Sequence, residues 1–232
     1  LYHRHPVHID IAGTVESIAE ITPELLYGCY HTFYNLHNMA LAVVGNVTPE
    51  LVLKVADQTL KPAADRRVER AGVEEPAEGA EKRVVQKMPV SAPLFFLGFK
   101  DYFPDGKSCR TPEELAATGV LIEVLAGQSS PLYNRLMEQG LINTSFDADY
   151  FDGPGYGVWM FGGESSDPDA VAEAIWGEIE RLRREGAAPA DFEAAHRALY
   201  GRQVAVLNDV ENTGDALISD FFAGREPFSA IH

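Results

Sequence analysis

Histidines supply the only concentrated chemistry in this sequence. His3, His5 and His8 lie with Asp10 in the opening run LYHRHPVHID. On an extended segment residues two apart project to the same side. Imidazoles with a carboxylate are a donor set suited to zinc. Against that reading, Pro6 interrupts the segment, and no neighbouring group is placed to orient the rings, as a tight metal site requires. A surface, non-ligand role is the reading preferred. His196 falls between Phe192 and Leu199 on an apolar helix stripe. With no Ser, Cys or acid partner evident, a hydrogen-bonded histidine at the edge of the core is expected, not a general base. The same holds for His31 and His37, which flank the apolar run Met39 to Val44. Trp159 and Trp176 are read as core. No His-x-x-Glu-His, G-x-S-x-G or phosphate-cradling glycine loop occurs. Gly153-Pro154-Gly155, followed by Gly157, stands between two strand patterns and reads as a hairpin turn.

The elements that must position these residues are announced by repeated start signals. Thr22-Pro23-Glu24 and Thr48-Pro49-Glu50 each place a capping threonine before a first-turn proline and an acid. Thr111 and Glu114 have capping-box spacing. The helix from Thr22 is expected to turn Leu25, Leu26, Cys29, Phe33 and Tyr34 inward. Met39 to Val44 reads as a strand buried on both faces, followed by a helix over 50–60. Lys61 to Lys82, rich in proline, glycine and mixed charge, reads as a solvated linker, Glu74, Glu75 and Glu78 included. Strands are predicted at Arg83–Met88, Pro93–Lys100, Thr144–Phe151 and Tyr156–Gly162. Helices are predicted from Thr111 through an apolar stretch to Gly127, over Leu132–Gln139, from Asp167-Pro168 to about Glu185, from Pro189, and over Asp215–Phe222. In the last-but-one helix Phe192, Leu199 and Val206 are expected inward. Strands mixed with helix pairs, without strict alternation, indicate an α+β fold.

Composition narrows the partners. The 232 residues carry a net charge of −16, which disfavours nucleic acid and anionic membrane surfaces. Cys29 and Cys109 are the only cysteines, so a reducing, cytoplasmic setting is expected. No apolar run has the length of a membrane span, and no leader pattern precedes Leu1. The opening lacks a methionine, and a longer parent is expected.

Residues 13–52, GTVESIAEITPELLYGCYHTFYNLHNMALAVVGNVTPELV, resemble the segment that follows the zinc site in the insulysin/pitrilysin family of zinc metallopeptidases. The residues that carry the likeness are Gly13, Ile18, Ile21, Thr22, Tyr34, Asn38, Met39, Val44, Gly45, Asn46 and Val47. SSPLYNRLMEQGLINTSF, residues 129–146, is similar to the family's second signature. Within the family the likeness is to the processing-peptidase-like branch. It implies a two-layer sandwich, a mixed and largely antiparallel sheet covered by helices, in the processing-peptidase/LuxS-like metallohydrolase fold.

The resemblance further implies repeated α+β domains enclosing a peptide, with zinc held upstream by ligands that this chain lacks. No cofactor is expected in this chain, and zinc is expected in the parent. Where active members present an Arg and a Tyr to the peptide, this sequence has Met137 and Asn143, with Arg135 as a substitute candidate. By the same likeness residues 1–60 are the tail of a preceding zinc-type domain, 61–83 a linker and 84–232 a second, non-catalytic domain lacking its last helix–strand unit. Thr22–Leu60 is then expected to complete the sheet of the second domain, within the chain or by exchange in a domain-swapped homodimer. The functional expectation is a non-catalytic, chamber-forming part of a zinc metalloendopeptidase, inactive alone, acting with other domains or a homologous subunit. The alternative is a binding or assembly subunit of the same fold that pairs with an active homologue. An independent enzyme built on the N-terminal histidines ranks last.

Overall fold

The computed structural model describes residues 1–64, 68, 69, 72–101, 103 and 110–228. Cys109 lies outside the described residues. The chain forms two compact units. One comprises Leu1–His8 with Val73–Gln203, and the other Ile9–Gly72 with Val204–His232.

The first unit is a helix-covered antiparallel sheet. Strands β1 (Leu94–Asp101), β2 (Asp147–Gly153) and β3 (Tyr156–Glu164) pair in the order β1-β3-β2. The β2–β3 hairpin closes through Pro154-Gly155, with Gly153 opposite Tyr156. Gly155 sits at φ 83°, a conformation that favours glycine. Facing residues share a side of the sheet. Phe95, Leu97, Phe99, Trp159, Phe161 and Ala148 therefore lie on one face. There they meet Leu125 and Ala126 of α4 (Pro112–Ala126), Leu132 and Leu136 of α5 (Pro131–Glu138), and Val171 and Ile175 of α6 (Pro168–Glu185). Leu132, Leu136, Val171 and Ile175 are fully buried. Phe99 lies edge-on to Phe161 at 6.0 Å and stacks on Trp176 at 5.8 Å. Trp159 packs against the core as expected, whereas Trp176 is exposed and not core.

Each helix begins where its sequence signal stands. Thr111 and Glu114 form a reciprocal capping box at α4, Ser130 caps α5, and Asp167 caps α6. Pro112–Glu138 has the length and hydropathy to cross a membrane by composition, a possibility the sequence expectation passed over. It is two helices broken at 127–130, and their buried residues make this unit's core.

Helix α7 (Pro189–Val206) departs from expectation at its start. Phe192 is exposed and stacks on the exposed His196 ring at 6.2 Å, and Ala195 is the buried residue. The buried stripe is therefore rotated to Ala195 and Leu199, where Leu199 packs against Gly119 of α4. His196 is on the surface side, not at the edge of the core.

The second unit holds α1 (Val15–Ala19), α2 (Pro23–Phe33), α3 (Pro49–Thr59) and α8 (Val210–Phe222). Thr14, Thr22, Thr48 and Asp209 cap them. The predicted starts at Thr22 and Thr48 are correct, whereas α8 begins earlier than expected, at Val210 instead of near Asp215.

The packing expectation fails here. Leu25, Leu26, Cys29, Phe33 and Tyr34 are all exposed, and α1, α2 and α3 bury no residue. Met39–Val44 is no strand; among the described residues it pairs with no strand and completes no sheet. It still alternates as a strand would: Ala40, Ala42 and Val44 are half-buried, while Met39, Leu41 and Val43 are exposed. Val44 lies beside Gly214 of α8. Arg83–Met88, also expected as a strand, is irregular, with Val84, Val85 and Met88 exposed. Both segments have strand-forming residues but no described strand to pair with, and β propensity expresses itself only through partners.

The accessible surface of the chain is 16838 Å². A folded monomer of 25.4 kDa exposes about 10,000 Å², and even two separate bodies of these sizes would expose only about 12,500 Å².

Candidate functional site

Two places hold the residues singled out by sequence, and a third gathers polar residues that sequence did not single out. The first is α5 and the loop after it. Arg135 projects from the last turn of α5, exposed, with its guanidinium 3.6 Å from the buried Glu178 carboxylate of α6. Glu178 takes its main partner from its own helix, Arg181, at 2.7 Å. Met137 does not point outward; it packs against the core cluster. Asn143 uses both ends of its side chain. Its oxygen accepts from the Ser145 N–H and hydroxyl at 2.8 and 2.6 Å, and its amide donates to Glu164 at 2.8 Å. Ser145 in turn accepts from the Glu164 N–H, so the loop is fixed to the end of β3. Of the three, only Arg135 presents an exposed charged group.

Arg135→Ala is expected to change stability by no more than about 1 kcal/mol, because its ion pair is long and half solvated. Leu136→Ala, one residue on and fully buried, should cost about 2–5 kcal/mol. Urea titration of the two variants separates the roles.

The second place is the helix-free face of the sheet, which carries Leu94, Phe96, Gly98 and Lys100 of β1 with Val158, Met160 and Gly162 of β3. One end of this face is covered by residues 1–8. The Leu1 side chain sits against Gly98, where a Cβ would come within 2.7 Å of it. The Tyr2 hydroxyl donates to the Gly157 carbonyl and accepts from its N–H, at 2.8 and 2.9 Å. Burial raises the Tyr2 pKa above the ordinary phenol value, which keeps the hydroxyl a donor.

The tempting histidines are used here, but not as a cluster. The Val7 N–H donates to His5 Nδ1, leaving Nε2–H to donate to the Pro154 carbonyl at 3.0 Å. His8 Nδ1 donates to the His5 carbonyl, and His3 is exposed. Asp10 accepts from the Ala12 N–H in the other unit. Among the described residues no three His, Cys, Asp or Glu side chains gather as a metal would require. His5 and His8 each spend a ring nitrogen on a backbone carbonyl, so the described histidines of this segment are not arranged as a zinc ligand set.

Glu75 is what sequence reading missed. Its carboxylate is 8% exposed, not solvated as a linker residue would be. Oε1 accepts from the His3 N–H and from Lys100 Nζ at 2.6 and 2.8 Å, and Oε2 from the Arg4 and His5 N–H groups at 2.8 Å each. Burial pushes this carboxyl up, and the N–H groups and Lys100 together more than reverse it, holding it well below the usual carboxylate range. Lys100 Nζ also donates to the Pro76 and Glu78 carbonyls and stands 4.6 Å from the Tyr2 ring centre. An acid among the prolines of a polar stretch gives no sign of this in sequence.

The third place is the end of the sheet opposite Glu164. Asp101, Arg110 and Tyr150 bond one another, with Arg110 Nε to Asp101 at 2.8 Å and the Tyr150 hydroxyl to Asp101 at 2.9 Å. Burial, with the Asp101 carboxylate, raises the Tyr150 pKa. These groups stitch β1 to β2 and satisfy one another, leaving no reactive group between them.

Comparison with known proteins fits this geometry. Residues 20–199 match the family model of the peptidase M16 inactive domain. The chain is 36% identical over its whole length to the zinc protease YmfH of Bacillus subtilis, itself uncharacterised, and covers 54% of that protein. A solved M16-like peptidase structure from Alicyclobacillus acidocaldarius superposes with a TM-score of 0.88 at 30% identity, over 99% of this chain and 56% of that one. A protease from Helicobacter pylori shares the fold at 19% identity, TM-score 0.79, over 96% of this chain and 54% of the other. The chain thus spans about half the length of the relatives it matches.

Proposed function

This chain belongs to the M16 peptidases, a family of zinc metallopeptidases, and matches the family's inactive domain; from that we propose that it is the non-catalytic, chamber-forming half of a zinc-dependent metalloendopeptidase. The observation that carries the proposal is the contrast between the two units. The first has its own core, while α1, α2 and α3 of the second bury nothing. Apolar side chains left in water on this scale mark a surface made to be covered. Relatives nearly twice as long supply a candidate cover.

On this reading residues 1–60 are the tail of a preceding zinc-type domain, 61–83 join it to the second domain, and 84–232 form that domain. The unpaired Met39–Val44 segment joins the sheet of the preceding domain. Zinc and the groups that activate water lie in that other half. This chain contributes a wall that holds a peptide, with Arg135 as the exposed cation nearest the family's substrate-facing positions.

The test compares this chain with its full-length parent on an internally quenched peptide. The chain alone should cleave nothing, and the parent should cleave at a rate abolished by chelator and restored by zinc. A parent that is inactive alone but active with a homologous subunit added would favour the assembly-subunit reading. Cleavage by the chain alone would overturn both.

A further inference from the structure

The covered end of the sheet is fastened by one side chain. Three successive backbone N–H groups, of His3, Arg4 and His5, converge on the two oxygens of Glu75. Such a run of N–H groups forms a nest for an anion. Here the anion is internal and is paired with Lys100, itself 5% exposed. A second tie joins the same two segments, the Ala80 N–H donating to the Leu1 carbonyl at 3.1 Å. The chain leaves this unit after His8 and returns to it at Val73. These two crossings are therefore anchored within a few residues of the carboxylate, and the third, after Gln203, is not.

We infer that Glu75 is a lock that makes the departing segment, residues 1–8, and the returning segment, residues 73–80, a single fixture on the helix-free face of the sheet. Charge-assisted bonds from four donors hold it more firmly than neutral turns would. Any bending at these two crossings then takes place beyond residues 8 and 73 and not within the fixture. The fixture also keeps the Leu1 side chain on Gly98, so that this end of the face stays closed while the end with Leu94 and Phe96 is open.

Amide hydrogen exchange on the chain, and on the full-length parent, tests the lock. In the wild type the His3, Arg4 and His5 amides should exchange about 100-fold or more slower than in a free peptide. Protection should survive 1 M salt, because a buried pair is little screened. Glu75→Gln should bring these amides to within about tenfold of free-peptide rates and leave β1 and β3 amides protected. Glu74→Gln, its exposed neighbour, should change nothing. Free-peptide rates at residues 3–5 in the wild type would overturn the lock, whatever the variant does. So would unchanged protection in Glu75→Gln, or equal loss throughout the strands.

Discussion

Lys100→Met is expected to destabilise the sheet unit by about 3–5 kcal/mol, the usual cost of stranding one member of a buried ion pair. The lysine is 5% exposed and gives its protons to Glu75 and to two carbonyls. Methionine keeps the stem over Tyr2 but returns none of those bonds, and Glu75 stays buried beside it. The double variant Lys100→Met with Glu75→Gln should recover part of the loss, since it removes the uncompensated charge, and a double-mutant cycle by urea titration gives the coupling. The dependence on pH carries a sign. The folded-state pKa of Glu75 is depressed, so its contribution is complete above the unfolded glutamate value of about 4.3. It is lost as pH falls from there toward the folded value. Wild type should therefore lose stability below about pH 4.5 more steeply than Lys100→Met. Equal slopes, or a loss below about 1 kcal/mol at pH 7, would mean that Lys100 is in effect solvated.

What could be read in the sequence was what is decided locally. A threonine, serine or aspartate before proline marked the starts of α2, α3, α4, α5 and α6 because capping involves only a few consecutive residues. β1 and the β2–β3 hairpin were legible because each finds its partner inside the same unit. Met39–Val44 and Arg83–Met88 have patterns as good, and they failed because pairing depends on an edge supplied from elsewhere in space. The inward face of α2 failed for the same reason: periodicity tells which side wants burial, not whether anything is there to bury it.

Glu75 shows the converse. Its neighbours in space are backbone amides 70–72 residues away and a strand lysine, and no local pattern encodes an acceptor for main-chain donors. For the site residues, Arg135 is exposed, whereas Met137, two residues on along α5, packs against the core. His5 and His8 are spent on backbone carbonyls, a use that spacing alone does not distinguish from ligation.

Leu41→Asp should act in opposite directions in the chain alone and in the full-length parent, and this reversal tests the proposed other half most directly. In the chain alone Leu41 is 69% exposed, between Met39 and Val43, which are exposed as well. A carboxylate there has water to solvate it, so stability should change by less than about 0.5 kcal/mol. It also interrupts an apolar, strand-prone edge, so solubility should rise and binding of a hydrophobic dye should fall. In the parent the same position is proposed to enter a sheet and be covered. An unpaired carboxylate would then be buried, at a cost of about 3 kcal/mol or more, enough to unfold many domains of ordinary stability. Ala42→Asp serves as a control, because Ala42 is already half-buried in the chain alone and should be harmful in both settings. If Leu41→Asp is as harmless in the parent as in the isolated chain, Met39–Val44 remains uncovered there, and the other half of the protein is not what completes this unit.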